Sequence, residues 1–435
     1  FGLVRAGKLG DFFPTSAVHG MLAAIGVIII LKQLPVAVGQ EAAGEPLEIL
    51  RHLPKTLANA NPEIAIIGLT SLIILFGLPI LKKLINNRFF SMIPAPMIVL
   101  MIAIPMGMWF DLSHQHTYTW AGQKYPIGEK FLVDIKGNLL SSIAYPDFSV
   151  FTNAATVYSA LKWVLMFMLI GSLESMLSAK AIDMIDPWKR QTDLNRDLLM
   201  VGIANTLCAL IGGLPMISEI VRSKANIDAG ARSRWSNVFH GIYLFLFLFI
   251  APTLIHEIPL AALAAMLVFT GFRLASPHEF YKTFLIGPEQ LVVFCTTLFV
   301  TLATDLLIGV AAGILVKFCF HLYHGVPIRS LFMPYLDVSD KDEKTYLVEA
   351  RDSAIFSNWV QLKAHLVRLG IEGKKDVIID LSNTVLVDHT VMENLHVLQG
   401  DFDKVGQKLT IVGFDDHVPL SGHELSARRK VKVGS

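Results

Sequence analysis

The chain has 435 residues, of which 53% are hydrophobic and 17% charged, with a formal net charge of +1. Globular chains carry about 25% charged residues, and the mean hydropathy here is +0.54, so a wholly soluble protein is excluded. The near-zero net charge also removes any electrostatic basis for binding nucleic acid or strongly acidic partners. In chain order, apolar spans are expected at 13–36, 64–86, 91–110, 155–183 and 197–213. A shorter and more polar span comes next at 215–229, then 235–254, 258–275, 288–303 and 304–322. Several approach the roughly 20 residues that cross a bilayer core. The last two are almost continuous, with a hinge near Thr304 and Asp305. Lysine and arginine cluster at 5–8, 82–88, 189–196, 222–234 and 273–282. The positive-inside rule places these connections on the cytoplasmic side. Segments 37–63 and 111–154, the break at 212–215 and residues 256–257 fall on the opposite side. Strict alternation then gives ten crossings with both ends inside.

Near Leu331 the composition changes. "TYLVEA" (345–350), "DVIIDL" (376–381) and "KLTIVGF" (408–414) are strand-like, whereas "WVQLKAHLVRLG" (359–370) and "TVMENLHVLQGDF" (390–402) are helical. Strands alternating with helices predict a small parallel or mixed sheet. The expected fold class is therefore an α-helical polytopic membrane protein over residues 1–325, followed by a small α/β domain over 331–435. Cys208, Cys295 and Cys319 sit inside apolar runs without metal spacing and read as small core hydrophobes. The chain opens on Phe1 rather than Met, no signal peptide precedes it, and it is expected to lack an N-terminal part.

Two stretches carry ionisable groups where an apolar helix makes them costly. In "GSLESMLSA" (171–179), Gly171, Glu174, Ser175 and Ser178 share one helix face by their spacing. Glycine and serine there serve helix packing equally well, but packing needs no carboxylate, so Glu174 points to a function. The second stretch is "LIGGLPMISEIVRSKANIDAGARSR" (210–234). Gly212, Gly213 and Pro215 end one helix and are expected to start another. A helix beginning at membrane depth has unpartnered N–H groups at its positive end, which suit an anion. Broken helices of this kind are a transporter device. Ser218, Glu219, Arg222, Ser223 and Asn226 would lie along one face. The plainer account is that Ser218 caps the helix and Glu219 pairs with Arg222.

These residues resemble the SulP family of anion transporters. "GSLESMLSAKAIDM" with "TDLNRDLLMVGIANTLCALIGGLP" is similar to that family's eighth and ninth helices. "GGLPMISEIVRSKANIDAGARS" is similar to its tenth, and "FGLVRAGKLGDFFP" to the entry of its fifth. "VIIDLSNTVLVDHTVMENLHVL" resembles the core of a STAS domain. The resemblance implies an inverted-repeat transporter with core and gate domains, of which helices five to fourteen are present and the first four absent. It implies an anion held between the half-helices of the third and tenth spans, so half of that site lies outside this chain. It also implies that Glu174 corresponds to an acidic residue that helps to hold Na⁺ in sodium–bicarbonate members, or takes a proton in sulfate–proton members. A lone carboxylate in apolar surroundings suits the proton; Na⁺ would need the oxygens of Ser175, Ser178 and nearby carbonyls as well. Two departures stand out. Many bacterial members carry a small residue where this chain has Glu219, which favours a proton or another cation as partner to the anion. The signalling STAS proteins carry a phosphorylatable serine after the aspartate, whereas here the run is Asp388, His389, Thr390, Val391, so regulation by phosphorylation at that position is not expected, although Thr390 could still accept a phosphate.

The expected function is secondary active transport of a small inorganic anion, sulfate first, coupled to H⁺ or Na⁺. Sodium-dependent bicarbonate transport is the nearest alternative, then a dicarboxylate. A nucleobase permease, or a STAS regulatory or binding module on a membrane anchor, are readings of other classes. The substrate site is expected at Ser218, Glu219, Ile220, Val221 and Arg222, the coupling site at Glu174, Ser175 and Ser178, and the helix break at Gly212, Gly213 and Pro215. No nucleophile–base pair, metal cluster or P-loop suggests an enzyme, and no cofactor beyond the coupling ion is expected. The expected partners are the anion, the bilayer and a second copy in a homodimer. The expected location is the inner membrane, with the STAS domain cytoplasmic.

Overall fold

The computed structural model describes residues 1–431 apart from 86–92, 135–142, 189, 191, 220, 221, 224, 225, 228 and 229. In chain order it forms α1 (Thr15–Ala37), α2 (Pro46–Ala58), α3 (Pro62–Ile85) and α4 (Ala95–Trp109). A hairpin comes after them, β1 (His116–Trp120) with β2 (Gln123–Ile127), then α5 (Ala154–Ile185) and α6 (Leu194–Leu210). Next come α7 (Trp235–Ile250), α8 (Pro252–His256), α9 (Leu260–Leu274), α10 (Pro277–Ile286), α11 (Pro288–Ala303) and α12 (Leu306–Tyr323). The C-terminal region adds β3 (Tyr335–Asp342), β4 (Thr345–Ala354), α13 (Phe356–Val367), β5 (Asp376–Val387), α14 (His389–Lys404), β6 (Leu409–Val412), β7 (His417–Pro419) and β8 (Arg428–Lys430).

Among the described residues, five stretches are long and apolar enough to cross a membrane by length and composition: Thr15–Ala37, Pro62–Lys82, Ala154–Met176, Leu260–Ile286 and Leu306–Tyr323. Ala95–Trp109, Trp235–Ile250 and Pro288–Ala303 are shorter apolar helices. Eight of the ten expected spans (five plus three) therefore correspond to an apolar helix. The ninth, 197–213, is α6, whose first turns hold Asn195, Arg196 and Asp197. The tenth differs from expectation: residues 213–219 are not helical, and among the described residues only 222–223 and 226–227 are. Tyr158, Leu161, Trp163 and Phe167 of α5 are exposed, as lipid-facing side chains are and as those of a soluble helix rarely are.

The chain divides into two compact units. One holds Leu22–Ile143 and Asn226–Ser276. Its core is built where α3, α4 and α9 meet, around Ile67, Leu75, Val99, Ala103, Ala262 and Ala265. A β-carbon on Gly26 of α1 would run into the backbone carbonyl of Gly271 in α9, so the two helices touch backbone to backbone. Small residues permit such contact between membrane helices. The hairpin of this unit was not expected; Tyr118 of β1 donates to Asn61 at 2.8 Å and so fastens it to the entry of α3.

The other unit holds Phe1–Met21, Ala144–Ala225 and Pro277–Ser435. The hinge expected near Thr304 and Asp305 is a full break: α11 ends and Asp305 caps α12, its carboxylate accepting from the Ile308 N–H at 2.9 Å. The α/β region is a sheet of order β3-β4-β5-β8-β7, with β6 pairing β5. Strands β4, β5 and β6 run parallel, β3 antiparallel, and α13 and α14 are the crossovers that parallel pairing requires. Trp359, Leu362, Leu395 and Phe402 of these helices pack on Val348 and Ile379 of the strands.

The connection from α5 to α6 is held by carboxylates. Asp183 accepts from the Thr192 N–H at 2.8 Å and from its hydroxyl at 2.7 Å. Asp186 accepts from Arg190 Nε at 2.8 Å and Nη2 at 2.9 Å. The Arg190 bonds hold the Asp186 carboxyl down to about 2. A depressed carboxyl stabilises the fold above the ordinary range of about 4 and loses that contribution as pH falls through its folded value. Asp186→Asn is therefore expected to speed proteolysis of this connection at neutral pH, with the gap between variant and parent narrowing below about pH 4. Equal cleavage rates at neutral pH would show that the pair adds nothing.

Candidate functional site at the break after α6

The site is built from α5, α6 and the irregular segment between Leu210 and Arg222. On α5, Ser175 is fully buried, Ser178 buried and Glu174 half-buried. The shared face expected from their spacing is thus turned inward. Helix α6 ends at Leu210, and Gly212 takes φ +76°, a left-handed conformation that a side chain would strain. Pro215 then has no N–H to offer a helical ladder.

Beyond Pro215 the backbone is held by side chains rather than by a helix. Asn205 of α6 grips Met216 with both ends of its amide: Nδ2 donates to the Met216 carbonyl at 2.8 Å, and the Met216 N–H donates to Oδ1 at 2.7 Å. The Ser218 N–H donates to Ser175 Oγ at 3.3 Å, and Ser218 Oγ to Asp197 Oδ2 at 3.5 Å. Ile217 lies against Gly171. Arg222 Nε donates to Glu219 Oε2 at 2.6 Å, with the Arg222 side chain 73% exposed. Glu174 and Glu219 lie within electrostatic reach of each other.

The structure thus brings Ser218 together with Ser175, and Glu219 with Arg222 and Glu174. It corrects the expectation that a helix restarts at Pro215 with free N–H groups. The Met216 and Ser218 N–H groups are already bonded, and the Ser218 hydroxyl donates to Asp197. The reason is competition: a side-chain amide and a hydroxyl from neighbouring helices satisfy the backbone locally, and no helical ladder is needed. Ser178 is buried on the same face, and the backbone is not helical from the end of α6 at Leu210 through Gly212, Gly213 and Pro215. Ile220 and Val221 lie outside the described residues. Asn205 and Asp197 were not singled out from the sequence. For Asn205 the signal was present, because an amide in the run "GIANTLCAL" is costly unless both its ends are bonded. Asp197 reads locally as one more acid in the first turn of a helix, which the dipole alone explains.

Among the described residues, Glu174, Asp197 and Glu219 bring three carboxylates to this segment and Arg222 one guanidinium. No group of three or more His, Cys, Asp or Glu side chains among the described residues is placed to hold a metal ion.

The model of the sulfate permease family matches residues 1–297 of this chain. The chain belongs to the sulfate permease family. Among curated relatives of this SulP chain, the Bacillus subtilis protein YvdB is 27% identical over 326 residues, covering 74% of the chain and 57% of the relative. The bicarbonate transporter BicA of Picosynechococcus is 22% identical over 317 residues, covering 73% and 52%. The bovine sodium-independent sulfate anion transporter is 22% identical and covers 99% and 71%. The chain spans a little over half the length of the first two. In fold, the SulP chain is similar to the transmembrane domain of a cyanobacterial bicarbonate transporter, BicA, with a TM-score of 0.54 at 20% identity over 72% of each chain. It is likewise similar to murine Solute Carrier 26 family member A9 in the inward-facing state, with a TM-score of 0.57 at 14% identity over 94% of this chain and 67% of that one. Likeness at these identities concerns the fold. The family is one of membrane anion transporters and not of enzymes.

Proposed function

We propose that this protein carries a small inorganic anion, sulfate first, across the inner membrane by secondary active transport, with H⁺ or Na⁺ as the coupling ion. The observation that carries the reading is the segment 211–219. It is an irregular backbone tied to α5 by Ser175 and to α6 by Asn205, and it leads directly to Arg222. Irregular backbone beside membrane helices is tolerated where it lines a cavity or is buried in protein. Ser218, Glu219 and Arg222, with Ile220 and Val221 between them, form the substrate site in this reading; Glu174, Ser175 and Ser178 form the coupling site.

The charge inventory supports a cation as co-substrate. Three carboxylates against one guanidinium repel an arriving anion unless protons or a metal cation offset them. Bicarbonate is the second reading, favoured by the similarity in sequence and fold to BicA. The α/β region over 331–435 acts as a cytoplasmic STAS domain, a reading supported by its β-α-β-α-β order and by Asp388 at the start of α14. A homodimer completes the proposal, with the exposed apolar faces turned to lipid or to the second copy.

The test is uptake of labelled sulfate and labelled bicarbonate by the intact protein in proteoliposomes, with H⁺ and Na⁺ gradients imposed separately. Sulfate accumulation under one gradient alone supports the first reading and identifies the coupling ion. Accumulation of bicarbonate alone replaces the substrate, and uptake of neither removes the proposal.

A further inference from the structure

The C-terminal end of α12 carries a cluster of ionisable side chains that the transport site does not use. Lys317 and His321, four residues apart, are each 2% exposed, and Asp388 is 1% exposed. Lys317 Nζ donates to Gln290 of α11 at 3.0 Å and lies within electrostatic reach of Asp388. His321 Nε2 lies 3.4 Å from Asp388 Oδ2, an ion-pair distance that is long for a hydrogen bond. His324 Nε2 meets Glu289 Oε1 at 2.6 Å. The ion-pair contacts are thus Asp388 with His321 and Glu289 with His324, while Lys317, one turn before His321, lies within electrostatic reach of Asp388.

Asp388 is the centre of the arrangement. Its Oδ1 accepts from the Val391 N–H at 2.8 Å, capping α14, and its Oδ2 from the Phe356 N–H at 2.9 Å, at the start of α13. Burial pushes its carboxyl up, but His321 and Lys317 outweigh this and hold it down to about 2. An aromatic frame keeps the group dry: the Phe356 ring lies 5.1 Å from Phe318, 5.5 Å from His321 and 5.9 Å from Phe12. Thr390 is 1% exposed, and its hydroxyl lies 3.5 Å from that of Thr15 in α1.

We infer that Asp388 is an ionic latch that fastens the α/β region to the last apolar helix, with Lys317 as its buried counter-charge. A pair taken out of water adds little net stability, but removing one partner strands the other charge in a dry site. The latch therefore sets specificity of docking: the α/β region seats on α12 in one register, because any displacement uncovers Lys317 without its partner. Thr390 lies beneath the seat and is closed to a modifying enzyme while the latch holds.

The experiment is a double-mutant cycle on the intact protein, read by hydrogen exchange at the Phe356 and Val391 amides and over 389–404. Asp388→Asn deletes the charge but keeps a capping oxygen. Lys317→Met deletes the counter-charge and keeps an apolar stem. Each single change is expected to speed exchange on the order of a hundredfold. The double change is expected to return to within about tenfold of the parent, the remainder reflecting the amide that now faces the Phe356 N–H. If Asp388→Asn alone does not fold, recovery of folded protein on adding Lys317→Met is the same result. Additive effects, a double variant that stays unfolded, or unchanged exchange in Asp388→Asn would each overturn the latch and leave Asp388 as a helix cap.

Discussion

Glu174→Gln is expected to cut accumulation driven by the coupling ion severalfold or more while sparing exchange of anion for anion. The cause lies on α5. Ser175, the next residue, accepts the Ser218 N–H, so the helix face that bears Glu174 is the one that holds the broken segment. The Glu174 carboxylate is within electrostatic reach of Glu219, which itself pairs with Arg222. A cation arriving at Glu174 removes a negative charge from that group and thereby favours an anion near Arg222. Coupling between two such sites amounts to a factor of about 5 to 150. Glutamine keeps the size and the hydrogen bonding but takes up neither a proton nor Na⁺. Gradient-driven uptake is therefore expected to fall by roughly that factor, with exchange flux within about threefold of the parent. Uptake under H⁺ and Na⁺ gradients, measured beside exchange at zero gradient, checks both halves. Undiminished gradient-driven uptake would reduce Glu174 to a packing residue.

How far the fold and the site were legible in the sequence differs from element to element. The apolar helices were, because a run such as 155–183 admits one solution in a bilayer: a helix that bonds its own backbone. The order β4, α13, β5, α14, β6 was legible too, since β-branched runs alternate there with helical spacing that closes on Gly370, whereas β3, β7 and β8 were not expected. The hairpin at 116–127 was not. Its residues, "HTYTW" and "QKYPI", are too polar to look like core, and its anchor, Tyr118 on Asn61, joins positions 57 apart in sequence. The break at Gly212 was legible from glycine and proline alone. The path after it was not, because it is set by Asn205 and Ser175, side chains on other helices. Local signals announced a new helix at Pro215, and tertiary bonds overrode them. The joining of Asp388 to α12 was beyond reach for the same reason: Lys317 and His321 lie some 70 residues upstream, where each reads as an isolated polar residue near the end of a span.

At the end of the broken segment, Arg222→Ala is expected to weaken anion binding by about ten- to a hundredfold at every pH, the range of a hydrogen bond to a charged group. Arg222→Lys is expected to lose less, because it keeps the charge but not the planar fork. The geometry makes Glu219 the residue expected to set the pH dependence. Arg222 Nε is engaged by Glu219 Oε2 at 2.6 Å, while its side chain is otherwise largely exposed. An anion approaching Arg222 must compete with that carboxylate or bind when it is neutral. A proton on Glu219 would free the guanidinium and remove a negative charge in one step, so anion and proton are expected to bind together. Glu219→Gln leaves Arg222 free at all pH values, and its affinity is expected to equal or exceed the parent's with a flattened pH profile. Binding of sulfate and of bicarbonate, measured across pH for the three variants, decides the matter. A profile for Glu219→Gln that tracks the parent's would mean that the carboxylate only steadies Arg222, and the proton would have to enter elsewhere, with Glu174 and Asp197 the carboxylates left beside the segment.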